Sequence, residues 1–175
     1  MAPSKIRMII GIILGFLFAI FGVFIFNGFE YRGLSLTDHI FVLLGATDTF
    51  WSGIYQLIGS GLMVDWFSEF SLANIAQYSF GGILFGATVW PVILTWVMSG
   101  FIVGIMLEGW KRGLFGALIV FVGVFLLWFV FGMFAGADLA TLFQYNLLIT
   151  LGELFTTIIC LLPGGLIGGY LTREI

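Results

Sequence analysis

The chain has 175 residues, 61% hydrophobic and 9% charged, with a mean hydropathy of +1.19. A water-facing globule ordinarily needs about a quarter of its residues charged, so a soluble domain is excluded and a bilayer protein remains. The formal net charge of −3 includes no basic cluster able to neutralise phosphates, which removes nucleic acid as a partner.

Lys5 and Arg7 precede an uncharged apolar run from Met8 to Phe26. This resembles the basic and apolar regions of a signal peptide, but no small-residue cleavage site follows at Asn27 to Tyr31. The run is also long enough to cross a hydrocarbon core about 30 Å thick, so residues 8–28 read as a retained first crossing.

The connection over 29–78 is longer than an ordinary loop and too apolar to float in water. Ser35 and Asp38 have capping-box spacing before Ile40 to Leu44, and Gly45 is a natural stop. Thr47 or Asp48 is expected to cap a second helix through Phe50 to Gly61, and Ser71 a third. Three placements stay open. The short helices lie flat on the outer leaflet with Trp51 and Trp66 facing inward, or Thr37 to Val64 forms a re-entrant hairpin whose tip carries Thr47, Asp48 and Thr49 into the membrane, or the segment adds a pair of crossings.

The uncharged stretch 79–107 contains Pro91, and neither part alone reaches the roughly 20 residues that a crossing requires. One long helix kinked at the proline is the expectation. The third crossing, 113–137, follows Glu108, Lys111 and Arg112, and the fourth, 147–171, ends just before Arg173. The fold class is therefore all-α: one integral membrane domain over 1–175, with four transmembrane helices.

Charge orients it. With Lys5, Arg7, Lys111, Arg112 and Arg173 on one side, Glu30, Asp38, Asp48, Asp65, Glu69 and Asp138 fall on the other, leaving Arg32 as the basic exception. The positive-inside rule then places the N- and C-termini in the cytoplasm, and the plasma membrane is the expected location. Tyr31, Trp51, Tyr55, Trp66 and Tyr78 on the outer side, with Trp110 and Tyr170 on the inner, fit two aromatic belts.

Glycine spacing suggests how the helices meet. Seven GxxxG pairs occur against about three or four by chance, so packing is their default meaning. The pairs Gly11 and Gly15, Gly82 and Gly86, Gly100 and Gly104, Gly132 and Gly136, and Gly165 and Gly169 are the packing candidates. Those in the second and fourth crossings occupy equivalent inner ends, which hints at two related helix pairs.

Glu153 is the carboxylate inside an apolar helix, where charge is costly and usually faces a cavity or the bundle interior. It lies 18 residues from Leu171, about 27 Å along the helix, so outer headgroups are an alternative environment. Pro91 falls at a similar depth and frees the carbonyl of Ala87. An outward vestibule of Asp48, Thr88, Pro91, Thr95 and Glu153, with Thr156 and Thr157 one turn deeper, is the candidate ion or solute site. Pro163, followed by Gly164 and Gly165, is expected to give a packing kink.

Other chemistry is sparse. A lone His39 beside Asp38 suits a solvated cap turn better than a metal site, and Cys160 reads as a small packed hydrophobe. No catalytic group, metal or cofactor is expected. The leading functional expectation is a non-enzymatic structural or accessory subunit, with membrane lipids and other membrane subunits or copies of itself as partners. A small oligomeric transporter or channel is the alternative, and an intramembrane enzyme is least supported, because no acid, base and nucleophile converge.

The charge pattern makes a direct prediction. In a Cys160→Ala background, single cysteines placed beside Lys5, Lys111 or Arg173 should be shielded from an impermeant thiol reagent in intact cells, and one beside Asp138 should react. Labelling at position 111 from outside overturns the four-crossing topology.

Overall fold

A computed structural model describes residues 5–31, 33–62, 90–138 and 147–172. Its helices are α1 (Lys5–Phe26), α2 (Phe41–Gly45), α3 (Phe50–Ser60), α4 (Trp90–Leu107), α5 (Trp110–Phe134) and α6 (Leu147–Leu171). Between α1 and α2 lie a two-stranded ribbon, β1 (Glu30–Tyr31) and β2 (Leu34–Ser35), and a π-helical turn over Leu36–Ile40. Among the described residues, α1, α4, α5 and α6 contain four helices long and apolar enough to cross a membrane.

In lipid no hydrophobic force draws one apolar helix to another, so close backbone approach through small residues supplies the packing energy. The seam between α4 and α6 shows this directly. Gly100 faces the Leu161 carbonyl and Gly165, whereas a Cβ on Gly104 would lie 2.5 Å from the Gly165 oxygen and 2.6 Å from the Gly169 nitrogen. From the other side, Gly164 faces the Val97 carbonyl and Gly168 the Phe101 carbonyl. Position numbers rise together along both helices, so α4 and α6 run parallel.

The remaining directions follow from the same contacts. Gly11 faces Met106, Gly15 faces Val103 and Gly22 faces Thr95, so α1 is antiparallel to α4. Gly113 meets Gly104 and Gly165, and Gly116 meets Val103 and Leu107, which sets α5 antiparallel to both members of the seam. An ion pair between Arg7 and Glu108, and a bond from the Gly109 N–H to the Gly169 carbonyl at 3.0 Å, join the α1 start, the α4–α5 turn and the α6 end. That turn bends through Glu108 (φ +47°) and Gly109 (φ +119°). The left-handed region costs about 1–2 kcal/mol for a residue with a Cβ, and the ion pair offsets part of that at Glu108.

The crossings differ in detail from the apolar runs. α5 begins and ends three residues earlier than 113–137, and α1 ends two residues before position 28; charged side chains at a membrane edge let α5 start ahead of its apolar part. The described part of α6 runs from Leu147 to Leu171, through Pro163 without a break. The described part of the second crossing runs from Trp90 to Leu107, with Pro91 buried in it. Residues 79–89, and with them the expected kink and the Gly82 and Gly86 pair, lie outside the described residues. Gly132 is buried in α5, but Gly136 is a correction: at φ +71° with nothing within 4 Å of its would-be Cβ, it forms the turn after α5 rather than a packing face.

The connection after α1 is more ordered than its length suggests. The Phe29 N–H closes α1 onto the Phe24 carbonyl at 2.7 Å, and Gly33 at φ +79° lets the ribbon pair Tyr31 with Leu34. Ser35 Oγ accepts from the Asp38 N–H at 3.2 Å, the expected cap, although the turn it opens is π-helical. Asp38 and His39 are both exposed there. Neither Thr47 nor Asp48 caps α3. Thr49 holds that position, and its hydroxyl donates instead to the Leu43 carbonyl at 3.0 Å, folding α2 against α3 so that Gly53 meets Leu43 and Leu44.

α3 enters the bundle obliquely. At its start Trp51 stacks on Phe131 and Phe134, one turn later Tyr55 stacks on Trp128, and at its end Gly61 lies against the Ala19 carbonyl and Val23. Ala19 is seven residues inside the end of α1 at Phe26, about 10 Å along the helix. The end packed on α1 is therefore Ser60 to Leu62, all buried, and Asp48 is exposed.

Gly104→Ala should destabilise the protein by about 1–3 kcal/mol, because backbone cannot yield to a new Cβ. Gly45→Ala, with nothing within 4 Å of its would-be Cβ, should be neutral or stabilise by up to about 1 kcal/mol. Equilibrium unfolding in detergent, followed by far-ultraviolet circular dichroism, distinguishes them.

Candidate functional site

An apolar helix can keep a hydroxyl inside a membrane only if the hydroxyl finds an acceptor, and the nearest is the carbonyl one turn back. Thr95 Oγ1 accordingly donates to the Pro91 carbonyl at 2.7 Å, and Thr156 Oγ1 to the Gly152 carbonyl at 2.8 Å. Thr95 is wholly buried with its side chain against Gly22 of α1. Thr157 is also buried, at 2% exposure.

Two neighbours of Thr95 bond between elements. Ser99 Oγ donates to the Gly15 carbonyl at 2.7 Å, which α1 exposes because position 15 has no side chain. Trp96 Nε1 donates to the Gly61 carbonyl at 2.9 Å and thereby fastens the inner end of α3 to α4. Three successive faces of α4 are thus engaged with its own backbone, with α3 and with α1.

The expected vestibule residues are distributed as follows. Pro91, Thr95, Thr156 and Thr157 are buried in the bundle, whereas Asp48 is exposed in the turn between α2 and α3. Thr88 lies outside the described residues, as does the Glu153 side chain. The backbone of Glu153 belongs to α6. With Gly100 facing Leu161 and Gly104 facing Gly165, the seam register carried toward Leu147 sets position 153 level with the residues around Pro91. Glu153 and Pro91 therefore share a depth, while Asp48 and Thr95 do not share an environment.

Two polar atoms outside that set are exceptional. Gln56 Oε1 and Trp128 Nε1 are sealed from solvent and have no hydrogen-bond partner among the described residues. The Trp128 indole nitrogen faces Gly59, and Tyr55 stacks on its ring with centroids 5.7 Å apart. The orphaned Trp128 donor thus lies at the contact of α3 with α5, and each of the two atoms costs about 1–3 kcal/mol while unpaired. The sequence did carry a signal: Trp96 and Trp128 lie within apolar spans rather than at belt level, and a buried indole N–H demands an acceptor. Ser99 was legible in the same way, as the hydroxyl adjoining Gly100.

Among the described residues no group of three His, Cys, Asp or Glu is placed to hold a metal ion. Cys160 is a buried free thiol. Comparison with protein-family models, curated proteins and solved structures finds no match to this chain.

The two tryptophans give a matched test. Trp96→Phe strands the Gly61 carbonyl and should cost about 1–3 kcal/mol beyond lost ring area, with faster amide hydrogen exchange at 57–61. Trp128→Phe removes a donor that has no acceptor, so exchange in the same segment should change far less. Hydrogen exchange with mass spectrometry reads both.

Proposed function

We propose that this chain is a non-enzymatic structural or accessory subunit of a larger membrane assembly, with both termini cytoplasmic in the plasma membrane. The observation that carries the reading is the state of the buried hydroxyls. Thr95, Ser99 and Thr156 all donate to backbone carbonyls, so these interior hydroxyls are spent on holding the bundle together rather than offered to a solute. The outward faces are apolar and long. On α5, Phe115, Ile119, Val122, Leu126, Val130 and Met133 are all exposed, at spacings of three and four that make one continuous stripe. In a bilayer such a stripe serves lipid or another membrane chain equally well. Orientation rests on Lys5, Lys111 and Arg112, which share one end of the bundle.

A second reading, a small oligomeric transporter or channel, is favoured by the sealed atoms Gln56 Oε1 and Trp128 Nε1 and by the level at which Glu153 stands. Polar groups without protein partners inside a membrane mark solute or water paths in many transporters. An outward vestibule there would recruit Glu153, Pro91 and the threonines of α6, with Asp48 at its rim.

Composition of the purified particle and Glu153→Gln together decide between them. The accessory reading expects unrelated chains to co-purify, and the neutralised variant either to keep them or to lose them without any change in ion flux. If reconstituted vesicles containing this chain alone conduct ions or protons, and Glu153→Gln abolishes that flux while assembly stays normal, the accessory reading is wrong.

A further inference from the structure

Glycines draw the start of α5 and the end of α6 into backbone contact: Gly113 touches Gly165, and Gly169 meets Gly109 and Trp110. Helices that touch through their backbones leave large side chains standing on either flank. On the outward flank Trp110, Leu166, Ile167, Tyr170 and Leu171 line an open groove of about 470 Å³, within the range of small-molecule clefts, about 300–1,000 Å³. Its walls are hydrocarbon and aromatic ring, and the groove lies along two helices that cross the membrane.

The rim is basic. Lys111 Nζ stands 5.3 Å from the centroid of the Trp110 ring, so the cation borders the groove wall. Arg112 follows it and is exposed. Glu108, the acid of this turn, is engaged by Arg7 and leaves the two cations uncompensated among the described residues. Lys5 adds a further positive charge at the same end.

We propose that this groove binds an anionic phospholipid, with an acyl chain lying along Ile167 and Leu171 between the Trp110 and Tyr170 rings and the phosphate held by Lys111 and Arg112. The apolar length and the basic rim match the two halves of one such molecule, whereas a free phosphate gains nothing from the groove and a zwitterionic lipid gains little from the rim. Juxtamembrane cations are each worth on the order of five-fold in anionic-lipid binding.

Native mass spectrometry of the purified full chain, titrated with equal amounts of phosphatidylglycerol and phosphatidylcholine, tests the assignment. Phosphatidylglycerol adducts should exceed phosphatidylcholine adducts by about five-fold or more. Lys111→Gln combined with Arg112→Gln should bring the ratio to about one with phosphatidylcholine unchanged, and Arg112→Gln alone should give an intermediate value. Ile167→Trp, at an exposed position, should fill the groove and lower both adducts. Equal adducts on the wild type, or a preference that survives the double variant, overturns the proposal. So does displacement of the lipid by inorganic phosphate, which would make the rim a free-anion site, or a second protein chain released by Ile167→Trp, which would make the groove a protein interface.

Discussion

The contact on which the rest depends is backbone against backbone along α4 and α6. A side chain at Gly100, Gly104, Gly164 or Gly168 would separate the two helices, and one at Gly165 would push α6 off α5, so the displacement would spread. Gly113 of α5 sits against both members of the seam, and Val103 and Met106, on the other face of α4, receive the glycines of α1. With no hydrophobic force acting between helices in lipid, attraction depends on the number of atoms brought within about 4 Å. Glycine maximises that number by letting the main chains themselves touch.

Inside this frame polarity is managed locally. Each hydroxyl on α4 and α6 for which a bond is described takes a carbonyl of its own helix or of the adjacent one, and Trp96 extends the practice to α3. The Gly61 carbonyl, just past α3, is held from α4, while Trp51 and Tyr55 stack on α5, so α3 is tied to the bundle at both ends. Only Gln56 Oε1 and Trp128 Nε1 break the pattern among the described side chains.

Much of this was legible in the sequence, for identifiable reasons. The four crossings follow from uncharged length, and the Gly100–Gly104 and Gly165–Gly169 motifs, read only as equivalent inner ends, are in fact each other's partners. The Ser35 cap and the Gly45 stop are local chemistry, which spacing reveals. The packing of α3 was not legible, because it depends on Gly59 and Gly61 meeting Trp128 and Ala19, and no periodicity encodes a contact across dozens of residues. Gly136 misled for the opposite reason: spacing alone cannot tell a glycine that packs from one that turns the chain at positive φ. For the candidate site, depth could be counted from Leu171 to Glu153, but which way a threonine points is set by the helix it faces.

The parallel course of α4 and α6 also sets an order of events during synthesis. Two parallel crossings must be separated by a return crossing, and Gly100 and Gly165 are 65 residues apart (165 − 100). At roughly 5–20 residues per second, the ribosome needs on the order of three to thirteen seconds to make that span. During that interval the nascent α4 presents a bare glycine surface with its partner not yet made. Small-residue surfaces attract any helix with a matching groove, so the newborn chain spends those seconds open to foreign pairing, and α5, with Gly113 and Gly116 turned toward α4, is the element positioned to shield it.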